Sequence, residues 1–146
     1  MVSYRVLVTG SRTWTDETPV RHAFTLVNQR NVNPLWPVTL IHGDANGLDK
    51  MVARIARDEF GWTVETYPAE WSKHDFTHRT HSCPGWHEGK PVCKMAGHRR
   101  NSDMVATRAD VCFAFIKYQS AGATGCAKLA EAAGIPTEYY RYPLLT

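Results

Sequence analysis

The chain has 146 residues, 43% of them hydrophobic, and a formal net charge of +3. This size and composition fit one globular domain, residues 1–146, with a core of ordinary size. No apolar run approaches the ~20 residues of a membrane span, and the N-terminus lacks the apolar core of a signal peptide. The composition therefore argues against membrane association, and we expect a cytoplasmic protein whose four cysteines are thiols or metal ligands rather than structural disulfides.

The first half of the chain alternates short apolar runs with amphipathic segments. Tyr4–Thr9 (YRVLVT) is predicted to be a buried strand, and Thr18 marks the start of a helix with apolar residues at helical spacing. The same design returns in Val38–Gly43 (VTLIHG). The helix that follows begins near Leu48 and stops at Gly61.

The second half continues this alternation. Thr63–Pro68 is predicted to be a third strand, and Asn101 or Ser102 to cap a helix. Val111–Ile116 (VCFAFI) and Thr137–Tyr142 (TEYYRY) are predicted to be the fourth and fifth strands. Alternating strands and helices predict an α/β fold: a Rossmann-like three-layer sandwich with a mostly parallel sheet of four or five strands.

Each turn that is rich in small residues follows a predicted strand. TGSRT follows the first strand, HGDANGLD the second and SAGATG the fourth. In a parallel sheet the carboxyl ends of the strands share one edge, where ligands bind. Glycine lets a ligand approach the backbone, and the free N–H groups at a helix start attract an anion such as phosphate. The residues of these turns that we predict to contact a ligand are Gly10, Ser11, Arg12, Gly43, Asp44, Gly47, Ser120, Gly122, Ala123 and Thr124.

Four segments together resemble a known superfamily. VTGSRTW, HGDANGLD, GHRRNSDM and SAGATG, in this order, are similar to the SLOG superfamily, which includes the Lonely Guy phosphoribohydrolases and the Rossmann core of DNA-processing protein A. The resemblance is strongest to its YspA-related (YAcAr) branch, which is common in bacteria and their phages. It covers the chain except for the residues from about 74 to 96. It implies a Rossmann-like domain that binds a nucleotide-like small molecule and forms a homo-oligomer.

Individual site residues follow from this resemblance. The GxAxGxD loop of DNA-processing protein A is matched by Gly43, Ala45, Gly47 and Asp49. The RKxxM signature of the phosphoribohydrolases is matched at Arg100 and Met104, with Asn101 in place of the lysine. The resemblance therefore adds Ala45, Arg100 and Asn101 to the predicted ligand-binding residues.

The phosphate motif of the phosphoribohydrolases, PGGxGTxxE, is retained only in part. Gly122 matches it, whereas Ser120 and Ala121 replace the residues before it. Ala123 stands in place of threonine, and Cys126 in place of the glutamate that is catalytic in that family. The resemblance implies that the phosphate-binding turn is present and that the expected catalytic acid is absent.

The missing acid leaves more than one function open. Arg100 can stabilise a phosphate or a leaving group, but an arginine cannot supply an acid–base step at neutral pH. Asp44, Asp49 and Asp103 are candidate carboxylates, each also explained as a helix cap or as a partner of a helix dipole. Cys126 is either an activated nucleophile or a small buried filler. We favour a sensor or sequestering module that binds a nucleotide or nucleotide-derived ligand; the alternatives are a nucleotide N-glycosidase and, last, single-stranded DNA binding.

Residues 71–98 interrupt the alternation as an inserted Cys/His-rich loop. Residues 71–100 hold six basic and two acidic residues, against 11 basic and 12 acidic elsewhere. Such a local surplus suits a small anionic ligand better than nucleic acid, which needs a basic groove spread over the surface. His81, Cys83, His87 and Cys93 are candidate ligands of a structural zinc, the one cofactor that we consider. A metal-free mobile lid and a Cys83–Cys93 disulfide stay open as alternatives.

Tryptophans lie close to the predicted binding edge. Trp14, Trp71 and Trp86 are in segments next to the carboxyl ends of the strands, and we expect one or two of them to stack on a purine. Packing in the core explains Trp36 and Trp62 equally well or better.

Overall fold

A computed structural model describes residues 3–31, 36–43, 47–69, 85–87, 90–92 and 96–142, with the backbone alone for 85–87, 90–92 and residue 96. Strands and helices alternate through these residues. The strands are β1 (Tyr4–Gly10), β2 (Val38–His42), β3 (Thr63–Thr66), β4 (Gly85–His87), β5 (Lys90–Val92), β6 (Val111–Lys117) and β7 (Thr137–Tyr142). The helices are α1 (Thr18–Arg30), α2 (Leu48–Phe60), α3 (Ala96–Ala106) and α4 (Ala121–Ala132).

Five strands form one parallel sheet in the order β3-β2-β1-β6-β7. Successive residues of β1 face opposite sides of this sheet. Val6 and Val8 belong to the core that includes α1 and α2, whereas Leu7 belongs to the core that includes α3 and α4. Helices therefore cover both faces, and the predicted Rossmann-like sandwich is confirmed. All five residues of β2 and the first six of β6 are buried, as expected for a parallel sheet that is covered on both faces.

The third helix differs from its prediction. It begins at Ala96, and Asn101 is a buried residue of its interior rather than a cap. The early turns of α3 read AGHRR, which offers neither a strong cap nor apolar residues at helical spacing. Sequence periodicity therefore could not reveal where this helix begins.

The inserted segment contains regular structure that the sequence did not predict. Strands β4 and β5 pair antiparallel as a separate two-stranded sheet. The predicted zinc ligands His81, Cys83 and Cys93, and the side chain of His87, lie outside the described residues. Within the described residues there is no group of three or more metal-ligating side chains. Over the same residues, no helix combines the length and apolar character that a membrane span requires.

Candidate functional site

A cleft of about 460 Å³ opens at the carboxyl ends of β1, β2 and β6. It lies where the strand order reverses between β1 and β6, the usual ligand position in this class of fold. Gly10, Gly43 and Gly122 all line it, as the predicted turns required. The lining residues are Val8, Thr9, Gly10, Ser11, Arg12, Thr13, Gly43, Asp49, Gly97, His98, Arg100, Asn101, Met104, Lys117, Gln119, Ser120, Gly122 and Ala123.

A side chain at any of three glycines would disturb the packing around the cleft. A Cβ atom on Gly10 would lie 1.9 Å from Leu48 Cδ2 and 2.6 Å from the Phe115 carbonyl oxygen. A Cβ on Gly43 would lie 2.4 Å from Arg100 Nη1. Gly47 has φ +82° and approaches the backbone of Arg12 so closely that a Cβ would lie 2.1 Å from its carbonyl oxygen.

Gly122 differs from these three glycines. Apart from its chain neighbours and the backbone of its own helix, no atom of the described residues lies within 4 Å of the position that its Cβ would take, although the residue lines the cleft. Packing inside the protein therefore does not explain a glycine here. The space beside its backbone is open to a ligand.

Arg100 is held in the cleft by two hydrogen bonds. Its Nη1 donates to the carbonyl oxygen of Gly43 at 2.7 Å, and its Nε donates to Asn101 Oδ1 at 2.8 Å. Asn101 is 6% exposed, and its Nδ2 donates to the Gly122 carbonyl oxygen at 3.4 Å. These contacts join the end of β2, the interior of α3 and the first turn of α4. They fix the orientation of a guanidinium group, whose fork of donors suits phosphate.

The charges that line the cleft are mainly positive. Arg12, Arg100 and Lys117 contribute cations, and Asp49, 7% exposed in the first turn of α2, contributes a carboxylate. None of the three cations takes part in an ion pair within the part of the chain that the structure describes. The described residues of the lining therefore carry a net positive charge, which attracts anions.

The start of α4 adds a second feature suited to an anion. Ser120 is the N-cap, and its side chain makes no capping hydrogen bond. The Thr124 amide closes the first turn on the Ser120 carbonyl oxygen at 2.9 Å, so the amides of residues 121–123 precede the first intrahelical bond. The predicted SAGATG turn is thus mostly the first turn of the helix, with Gly122 and Ala123 in the lining and Thr124 outside it.

Ser11 has a structural partner. Its Oγ accepts a hydrogen bond from the Lys117 amide at 2.8 Å and also lies 3.4 Å from the Lys117 carbonyl oxygen. Its amide donates to the Phe115 carbonyl oxygen at 2.9 Å. Ser11 therefore ties the ends of β1 and β6 together, and its contact with a ligand stays a prediction.

Of the residues considered for catalysis, some lie in the cleft and others do not. Cys126 is fully buried, and burial raises the pKa of its thiol to about 11, so the group is neutral at physiological pH and serves as a small core residue. Asp103 is exposed on α3 and does not line the cleft. Asp44 and Ala45 lie outside the described residues. Asp49, for which the sequence favoured the role of a cap or dipole partner, is the carboxylate found among the described residues of the lining.

The structure also adds residues to the site. Lys117, Gln119 and His98 line the cleft but were not predicted to do so. The available signal was a basic residue at the carboxyl end of a predicted strand, since Lys117 follows the predicted strand Val111–Ile116 much as Arg12 follows the first one. Trp14, one of the three tryptophans considered for stacking on a purine, does not line this cleft; it is 4% exposed and packs 5.6 Å from the Phe115 ring.

The remaining tryptophans have separate outcomes. Trp62 packs 4.6 Å from the ring of Phe24, as expected for a core residue, whereas Trp36 is 40% exposed. Trp71 and the side chain of Trp86 lie outside the described residues.

Comparison with known proteins identifies relatives of the chain. Residues 4–74 match the model of the YspA, cpYpsA-related SLOG family. A Mycobacterium phage D29 protein named Gene 61 protein is 36% identical over 136 residues, which cover 90% of this chain and 92% of the phage protein. No solved structure matches the chain significantly.

Proposed function

Because this chain belongs to the YspA, cpYpsA-related SLOG family, we propose that it binds a nucleotide or nucleotide-derived ligand in the cleft at the carboxyl edge of the sheet. The proposed role is that of a sensor or sequestering module, which holds the ligand without efficient turnover. Family membership is consistent with a nucleotide-related role. The cleft residues support the more specific proposal.

The observation that carries this proposal is the placement of Arg100. Its guanidinium is oriented by Gly43 and Asn101, neither of which cancels its charge. The first turn of α4 lies beside it through the Asn101 contact with Gly122. A phosphate bound there accepts charge-assisted hydrogen bonds from the arginine and further hydrogen bonds from the backbone N–H groups at the start of the helix.

A second function, hydrolysis of an N-glycosidic bond, is supported by Asp49 alone. It is a buried carboxylate in the cleft lining, the type of group that general acid–base catalysis requires. Cys126, at the position of the family's catalytic glutamate, is a neutral buried thiol and cannot replace that acid. We therefore rank binding before hydrolysis.

Calorimetry with adenosine monophosphate and adenosine tests the binding proposal. We expect the phosphate to strengthen binding, and Arg100→Ala to weaken monophosphate affinity by about 1.5–3 kcal/mol, the range for a charge-assisted hydrogen bond. The monophosphate affinity of Arg100→Lys should lie between those of the unmodified protein and Arg100→Ala, because lysine keeps the positive charge but lacks the forked donors of the guanidinium. Arg57→Ala is the matched control, since Arg57 is exposed in the last turn of α2 and does not line the cleft. The proposal is contradicted if Arg57→Ala weakens monophosphate affinity as much as Arg100→Ala does, or if Arg100→Ala does not weaken it.

Chromatography of free bases after incubation with nucleoside monophosphates separates binding from hydrolysis. We expect no release above the uncatalysed rate. Release that Asp49→Asn abolishes, with monophosphate affinity retained, would establish the N-glycosidase instead.

A further inference from the structure

A second cavity of about 190 Å³ adjoins the cleft. It is lined by Trp14, Thr15, Asp16, Lys117 and Tyr142. Lys117 lines both spaces, so a ligand that extends from the cleft past this side chain enters the second cavity. Pockets for whole drug-sized ligands occupy about 300–1,000 Å³, and the second cavity is smaller. It therefore fits one part of a larger ligand.

Two neighbouring exposed tyrosines lie next to the Lys117 ammonium group. Tyr118 is 67% exposed and Tyr142 is 53% exposed, and their ring centroids are 6.1 Å apart at an interplanar angle of 80°. Lys117 Nζ lies 6.0 Å from the first centroid and 5.5 Å from the second. Exposed aromatic rings next to a cation are the arrangement on which proteins stack nucleobases beside a phosphate backbone.

The backbone of Tyr118 supports a role for its ring. Its φ is 56°, in the left-handed region that bulky side chains rarely adopt. Its amide donates to the Tyr142 carbonyl oxygen at 2.7 Å, which holds the two residues together. With most of the Tyr118 ring exposed, packing inside the protein does not compensate for this conformation. Strain of this kind concentrates at ligand-binding sites.

We propose that the cleft and the second cavity together bind a dinucleotide-type ligand, in which two ring systems are joined through phosphate groups. The phosphates lie between Arg100 and Lys117, and the second ring stacks on Tyr142, which lines the second cavity, with the Tyr118 ring beside it. Asp16 supplies an acceptor for hydroxyl or amine groups; its Oδ1 also accepts from the Thr18 amide at 3.0 Å. This inference rests on the proposed function and names the ligand class of the same site.

The test compares ADP-ribose with diadenosine diphosphate, which differ only by the second adenine. We expect calorimetry to give at least about fivefold tighter binding of diadenosine diphosphate, the lower end of the range for stacking one base. Tyr118→Gly combined with Tyr142→Ala should make the two affinities equal. Tyr118→Phe combined with Tyr142→Phe should preserve the difference because both rings remain.

Two controls separate a lost contact from a damaged fold. Tyr118→Gly relieves the left-handed backbone, so the melting temperature of this single variant should hold or rise while the preference for the second adenine falls. Trp36→Ala removes an exposed ring that lines neither space and should leave the affinity ratio unchanged.

The results distinguish this inference from the proposed function. Equal affinities in the unmodified protein, or a ratio that survives loss of both tyrosine rings, overturns the inference. Binding of ADP-ribose that still depends on Arg100 then leaves the proposed function standing. If neither ligand binds the unmodified protein, the inference is overturned, and absence of monophosphate binding in the earlier calorimetry rejects the proposed function as well.

Discussion

The cations of the cleft and the arginines elsewhere on the molecule have different partners. Four arginines outside the cleft contact glutamate carboxylates: Arg5, Arg21, Arg30 and Arg54. Inside the cleft, Arg100 donates to a carbonyl and an amide oxygen, and Lys117 lies near two tyrosine rings. A carboxylate partner cancels the charge of a cation, whereas a neutral partner orients the cation and leaves its field in place. The difference indicates that the cleft cations are available to an anionic ligand.

The two groups should therefore respond differently to mutation. Exposed ion pairs contribute about 0–1 kcal/mol to stability and nothing direct to a distant ligand. The cleft cations should contribute to ligand affinity, provided that the backbone turns around them keep their positions.

The largest effect should come from breaking the turn that follows β1. In Gly10→Ala the new methyl group meets Leu48 Cδ2 at 1.9 Å and the Phe115 carbonyl oxygen at 2.6 Å, and this backbone oxygen cannot move aside alone. We expect the free energy of unfolding in urea to fall by about 3 kcal/mol, the upper end of the range for overpacking a core. Nucleotide affinity should fall as well, because Gly10 lines the cleft and the turn around it would be displaced.

Gly122→Ala is the matched control for that variant. Outside its own helix and chain neighbours, its methyl group meets no described atom within 4 Å, and alanine favours a helix more than glycine does. Its free energy of unfolding should hold or rise. Equal destabilisation by the two substitutions would contradict the distinction between a packed and an open glycine.

A smaller effect, on ligand affinity, should follow from placing a carboxylate next to Arg100, as Glu65 is placed next to Arg5. Asn101→Asp places a carboxylate where Asn101 Oδ1 now accepts from Arg100 Nε at 2.8 Å. We expect monophosphate affinity, measured by calorimetry, to fall by about 10- to 100-fold because the neighbouring charge offsets the arginine.

Asn28→Asp makes the same change of charge on the exposed side of α1, outside the cleft. It should leave the affinity near that of the unmodified protein. If both variants lose affinity equally, net charge rather than the partner of Arg100 governs binding.

The smallest effect concerns an ion pair outside the cleft. A hydrogen bond from Arg5 lowers the pKa of Glu65, so this pair adds stability above the ordinary carboxyl pKa, and the stability is lost as the pH falls through the lowered value. The Glu65 side chain is 39% exposed, which limits the contribution to less than about 1 kcal/mol. Glu65→Gln should flatten the fall in melting temperature between about pH 5 and pH 3. Monophosphate affinity at neutral pH should not change, and a loss there would contradict the separation of the two groups of cations.

Local patterns in the sequence determined most of the fold. Apolar runs of strand length located the five strands of the main sheet, and the stop at Gly61 is confirmed by its left-handed conformation, φ 68°. The start of α3 could not be predicted in this way, because its first turns carry basic residues and no cap signal. The cytoplasmic location, the zinc and the homo-oligomer stay predictions.

The sequence also determined that the turns at Gly10, Gly43 and Gly122 meet, because the carboxyl ends of parallel strands share one edge of the sheet. Only the tertiary structure decided which side chains meet there. The Arg100 contact with Gly43 joins residues 57 positions apart, Trp14 turns into the core, and Lys117 reaches both the cleft and the tyrosines. Periodicity and turn residues report the burial and conformation of neighbouring residues along the chain. Contacts between distant turns depend on strand order and side-chain packing, which no local pattern encodes.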